Sequence, residues 1–194
     1  MTATDRTSTT VLAFADHRLR PMQAADSGRI LAWRNADRIR ARMFSDHVIG
    51  EAEHARWFTA ALCDPTAAYR LYEHKGRPIG FVSFTGIDRH NRRCAWGFYL
   101  GDEDAPPGSG SAMGLLALDD AFGPLSMGKL CCEVFAFNGP AIRFLKRLGF
   151  CEEGRLVRHA LKDGVLQDVV LLARFGDPWP EDRHALMSSV FQEA

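Results

Sequence analysis

The residues most suited to chemistry begin at a glycine-rich turn, Gly108-Ser109-Gly110-Ser111-Ala112. It follows the strand-like run Trp96-Gly97-Phe98-Tyr99-Leu100 and opens a stretch of helical periodicity. At a helix head the first N–H groups lack an intrahelical acceptor and lie at the positive end of the helix dipole, and glycines let an anion approach the backbone closely. The chemistry such a turn offers is the cradling of a phosphate. A Gly-x-Gly turn alone more often only joins two elements, so its weight comes from its neighbours. Downstream, Glu133-Val134-Phe135-Ala136-Phe137-Asn138 reads as a strand ending in Asn, and Gly139 to Leu148 as a helix closed by Gly149, with Phe150 opening the next strand.

The elements that must hold these residues follow from periodicity and breakers. Leu19 to Met22 reads as a first strand, and Asp26 or Ser27 caps a helix whose apolar face is Ile30, Leu31 and Trp33. Ala52, Ala55, Phe58, Thr59 and Leu62 recur at helical spacing until Asp64-Pro65 stops a second helix. Ala68 to Glu73 and Ile79 to Ile87 flank a turn with two breakers and form a hairpin, continued by a strand from Cys94 to Gly101. After the helix, strand and helix already described, Cys151 to Ala160 and Val165 to Arg174 close on Lys162-Asp163-Gly164 as a last hairpin. This order predicts an α+β fold, a single mixed sheet of about seven strands with about four helices on its faces. Residues 1–16 read as a loose tail, 17–176 as the working domain and 177–194 as an extension leaving it.

Composition narrows the classes of function. A chain of 194 residues is long enough to bury roughly 70% of its unfolded surface as one domain. Lys+Arg and Asp+Glu balance at 24 each, which leaves no basic footprint for nucleic acid. The polar N-terminus lacks a signal-peptide core and no run approaches a membrane span, so the expected location is the cytoplasm. Five cysteines, two of them adjacent at Cys131-Cys132, speak for reduced thiols and against a disulfide framework or metal cluster.

The run from Trp96 through the glycine turn to Asn138-x-x-Ala141 and Leu148-Gly149-Phe150 resembles the GCN5-related N-acetyltransferase superfamily, over nearly the whole span from Leu19 to Arg174. That resemblance implies acetyl-CoA as cofactor and a sheet splayed at the cofactor site, with the pantetheine arm bonded as an added strand. It implies that Phe98, Tyr99 and Leu100 line the arm, and that Gly108, Ser109, Gly110, Ser111 and Ala112 take the pyrophosphate. Asn138 and Phe144 would touch the cofactor's other side, with Arg143 or Arg147 near the phosphates. A backbone N–H of the strand ending near Leu100 would polarise the acyl oxygen.

Two positions depart from the family pattern. Ala105 stands where a Gln or Arg usually precedes the first glycine, and Leu145 where many members place an acidic Tyr. Solvent can protonate a leaving thiolate of pKa about 8.5, so the reaction tolerates the second loss. Direct transfer to an amine requires no cysteine nucleophile. Glu133, five residues before Asn138 on the strand beside the cofactor gap, is the candidate base through one water, with His47 and His54 as rivals.

The acceptor should be chosen by the cluster Arg34, Asn35, Met43, Phe44, His54 and Phe58, beside Trp33 and Trp57, with Phe84 from the meander. Its order is similar to the branch that serves pseudaminic acid biosynthesis, which implies acetylation of the 4-amino group of a UDP-linked amino-dideoxy sugar. Arg34 would pair with the diphosphate, and Phe44, Trp57 or Phe84 would cover a ring. The alternatives are an N-terminal acetyltransferase of the ribosomal-protein type and a non-catalytic acyl-CoA-binding module. The expected partner is a small nucleotide sugar, without nucleic acid or membrane, and a homodimer is compatible with the sequence.

Overall fold

The computed structural model describes residues 13–191. Seven strands form one mixed sheet: β1 (His17–Pro21), β2 (Ala68–His74), β3 (Arg77–Asp88), β4 (Arg93–Leu100), β5 (Lys129–Phe135), β6 (Cys151–Lys162) and β7 (Val165–Phe175). Their order across the sheet is β1-β2-β3-β4-β5-β7-β6. Six helices pack around it: α1 (Ser27–Asn35), α2 (Asp37–Arg40), α3 (Glu51–Cys63), α4 (Ser109–Phe122), α5 (Gly139–Arg147) and α6 (Trp179–Val190). The α+β class and the seven strands match the expectation; the helices number six because α2 and α6 carried no strong periodic signal.

Alternation along the strands splits the core in two. Leu71 and Phe81 point to one face, where they meet Ile30 and Trp33 of α1 and Phe58 of α3. Their neighbours Tyr72, Val82 and Phe84 point to the other, against Met113, Leu115 and Leu118 of α4. Gly101, at the end of β4, lies under the Trp33 ring, where an added Cβ would stand 2.0 Å from a ring carbon. Gly101→Ala is therefore expected to cost about 2 kcal/mol through forced repacking. A urea midpoint equal to that of the parent would contradict this.

Residues 177–191, expected as an extension, instead complete the core. Trp179 and Phe191 are buried at 6% and 4% exposure, and Asp119 of α4 accepts from both Arg183 and the Trp179 indole. The Pro-rich entry to this segment read as an exit because Pro178 and Pro180 break periodicity just where the helix begins. Of the expected tail, residues 1–12 lie outside the described residues, while Phe14 packs edge-on against Phe191.

The feature that makes a site is a fork. β4 and β5 run parallel for only three pairs, Arg93↔Lys129, Cys94↔Leu130 and Ala95↔Cys131. Beyond them β4 stays with β3 as far as Leu100, and β5 stays with β7 as far as Phe135. The strands diverge and leave two facing edges unpaired. The Cys132 thiol donates to the Trp96 carbonyl at 3.3 Å, in the crotch of the fork.

Candidate functional site

The fork opens into a cavity of about 750 Å³. One wall is Trp96 to Leu100 of β4, the other Cys131 to Val134 of β5, with Gly110 and Met113 of α4, and Asn138, Ala141 and Phe144 of α5, closing the inner end. Phe98 and Phe144 meet across that end with ring centroids 5.1 Å apart. Asn138 accepts from the Ala141 amide and so caps α5, which explains an Asn at the strand's end.

The glycine turn is a helix head, as its composition predicted. Gly108 caps α4 at φ +86°, a conformation a side chain resists. Within the turn, the Ser109 amide donates to Pro106 O and the Ala112 amide to Gly108 O, each at 3.1 Å. The amides of Gly110 and Ser111 have no backbone acceptor among the described residues, and these two are the donors the turn can offer an anion. The Ser109 side chain and Ala112 are buried at 1% and 0%, so they face the core and not the cavity. Arg143 and Arg147 are exposed on α5.

Glu133 is exposed and lines the β5 wall, two residues beyond Cys131 on the same side of the strand. Burial pushes the Cys131 thiol up from its ordinary value, and the Cys94 thiol up to about 12. Neutral thiols are poor nucleophiles. Leu145 is fully buried in the core, so no side-chain acid occupies its position. Arg38, which the sequence reading overlooked, donates to the carbonyls of Leu100 and Gly101 and pairs with Glu103, pinning the end of β4. Arg42 was overlooked too; it lies in the cavity wall with its guanidinium 5.9 Å from the Phe137 ring centroid. Their i, i+4 spacing just after Asn35 was the available signal.

The residues expected to choose the acceptor separate into four groups. Met43 and Phe44 reach the cavity, and the Phe44 ring lies 4.5 Å from that of Phe135. Arg34 and His54 line a second cavity of about 290 Å³ with Trp57 and Phe81, and Tyr99 is in the walls of both cavities. Arg34 is half-buried and donates to Ser45 O and Oγ, and burial holds its pKa below the ordinary arginine value. Asn35 brackets Ile49, donating to its carbonyl at 2.9 Å and accepting from its amide at 2.8 Å. His54 is buried with Nε2 at 2.9 Å from Ser27 O, which only a protonated Nε2 can satisfy. His47 instead pairs with Glu53 on the surface. Phe58 and Phe84 are buried at 5% and 0% in the two cores and line neither cavity. Strand alternation decides this for Phe84, since Ser83 and Thr85 on either side are the ones in the wall.

Two unpaired strand edges beside a helix head with free amides suit an elongated ligand with amide groups along one arm and phosphates at its end, which is the build of coenzyme A. The fold and this site define an acyl-CoA-dependent N-acetyltransferase. Residues 17–151 match the family described as the acetyltransferase (GNAT) domain, and the chain belongs to that family. It is similar to the SPbeta prophage-derived uncharacterized N-acetyltransferase YokL of Bacillus subtilis, at 30% identity over 68% of this chain and 75% of the relative. Spermidine N(1)-acetyltransferase of Escherichia coli is 23% identical over 81% of this chain and 85% of its own length. The crystal structure of spermidine N-acetyltransferase from Vibrio cholerae in complex with CoA and spermine superposes with a TM-score of 0.80, at 22% identity, over 86% of this chain and 99% of that one. The protein is an N-acetyltransferase that uses acetyl-CoA as acyl donor. No helix among the described residues is long and apolar enough to cross a membrane, and no group of three metal-binding side chains occurs among them.

Proposed function

We propose that the acceptor is a small-molecule primary amine that also carries negative charge, with the 4-amino group of a UDP-linked amino-dideoxy sugar as the leading member of that class. The observation that carries this reading is the charge of the cavity wall: two arginines, Arg38 and Arg42, and one carboxylate, Glu133. Arg38 is occupied by carbonyls and Glu103, whereas Arg42 has no carboxylate partner among the described ion pairs and faces a ring. A diphosphate beside Arg42 and a sugar or uracil against Phe44 suit these groups. A polyamine would bring two or more ammonium charges to a wall with one carboxylate, and that is the unfavourable pairing.

Acetyl-CoA supplies the activated acyl carbon as a thioester. The chain's part is to hold the phosphates on the Gly110 and Ser111 amides, align the arm along β4, and receive the amine's proton at Glu133 through one water. Arg34 and Asn35 act on the acceptor at one remove, by ordering residues 45–49.

Turnover of acetyl-CoA with UDP-linked amino sugars, spermidine and N-terminal peptides tests the reading. Preference for the amino-sugar nucleotides is expected. Preference for spermidine would put the chain with its polyamine-acetylating relatives, and transfer to peptides with the ribosomal-protein type. Tight acetyl-CoA binding without transfer to any amine would mark an acyl-CoA-binding module. Arg42→Ala should raise the KM for the nucleotide sugar about tenfold and leave acetyl-CoA affinity alone. Equal KM values in parent and variant would remove Arg42 from the acceptor site.

A further inference from the structure

We propose that Lys162, at the tip of the β6–β7 hairpin, is the latch that positions residues 41–50 over the acceptor side of the cavity. The proposal rests on the reading that the amine enters between this loop and Glu133. Residues 41–50 form no helix or strand, yet side chains from outside the loop hold their backbone. Arg34 takes Ser45 O, Asn35 takes both polar groups of Ile49, and Arg40 takes Asp46 O at 2.7 Å. These three belong to α1 and α2, which adjoin the loop in sequence. Lys162 Nζ donates to Arg40 O and Met43 O at 3.1 Å each and lies 3.6 Å from the Asp46 carboxylate. Its bond to Met43 spans 119 residues of sequence and ties the loop to the β5–β7 side of the fork.

Lys162 is 4% exposed, and lysine is almost never so buried unless its charge is partnered. Two carbonyls and a nearby carboxylate match the three donors of its ammonium group. The hairpin is shaped to deliver it. Lys162 pairs with Val165 across the two-residue turn Asp163-Gly164, whose φ values of +50° and +78° suit a tight hairpin. Further down, the pairing of β6 slips between Leu156 and Ala160. There Arg158 adopts φ +51° and its amide donates to Asp168 Oδ1 at 2.8 Å. Such a bulge bends its strand, here aiming the tip back toward α2. The carbonyl that Lys162 holds belongs to Met43, a wall residue, and the next residue, Phe44, rests on Phe135, two positions from Glu133. Lys162 thereby acts as a positioning residue for the wall that faces the base.

The test compares Lys162→Met, which keeps the stem and removes every donor, with Lys162→Arg. Amide hydrogen exchange of residues 41–47 is read in the absence of any acceptor, and KM for the amine and Kd for acetyl-CoA are read separately. In Lys162→Met, exchange of this loop should quicken about tenfold and KM for the amine should rise about tenfold, with acetyl-CoA affinity near that of the parent. Lys162→Arg should recover most of both effects. Asp168→Ala, which frees the bulge without touching the loop, should quicken exchange of the same residues. Unchanged exchange in Lys162→Met overturns the latch, and so does faster exchange with KM unchanged. Weakened acetyl-CoA binding together with a lowered urea midpoint would make Lys162 a general fold contact and also overturn it. Because exchange is read without acceptor, an amine of another class as the true substrate leaves the latch standing.

Discussion

Glu133→Gln should lower kcat about 100-fold or more while the Kd for acetyl-CoA stays at the parent value. The substitution keeps size and hydrogen-bonding reach and removes only the capacity to take up a proton, so a loss confined to turnover identifies a base. Glu133 is suited to that part: it is exposed to the cavity, on the β5 edge that β4 abandons, and it is the sole carboxylate in the wall among the described residues. The rivals are placed otherwise, His54 buried against Ser27 O and His47 paired with Glu53. The measurement is the pH dependence of kcat and kcat/KM in both proteins. A Gln variant that keeps both the parent kcat and the parent acidic limb would remove Glu133 from catalysis.

Gly110→Asp should weaken acetyl-CoA binding about 30-fold, equivalent to about 2 kcal/mol, the size of like-charge repulsion at a few ångströms near a protein surface after screening. The fold should be untouched, because a Cβ at Gly110 meets only a Leu100 methyl, at 3.9 Å. An acidic residue in the first turn even favours the helix dipole, so stability holds or rises as affinity falls. Calorimetric titration with acetyl-CoA beside a urea melt separates the two effects. Undiminished affinity would move the phosphates away from the α4 head.

The strands, the helices α1, α3, α4 and α5 and the glycine turn were legible because each has a local signal: period-2 or period-3.6 patterning bounded by Gly, Pro, Asp or Asn. Phe84 and Phe58 show where that signal stops. Periodicity marks them as apolar and regular, but whether they face a cavity or a core depends on which side α4 and α3 pack, and that is tertiary. Arg34 and Asn35 were singled out as polar groups in an apolar helix. Their partners Ser45 and Ile49 lie across an irregular loop that no pattern describes. The fork itself leaves no local mark, since β4 and β5 each read as ordinary strands and only their mutual pairing shows three rungs. The packing of α6 into the core was not legible because the burial of Trp179 and Phe191 is created by Asp119, Phe14 and the α4 surface, far away in sequence.

The amides of Gly110 and Ser111 and the open edges of β4 and β5 are atoms every residue possesses. A site built from them is largely indifferent to which side chains drift through it, so Ala105 and Leu145 can depart from the family pattern without dismantling it. Only proline deletes an amide outright. Evolution can thus rewrite the side-chain wall that holds Arg42 and Phe44 while the backbone part of the cavity is inherited as geometry.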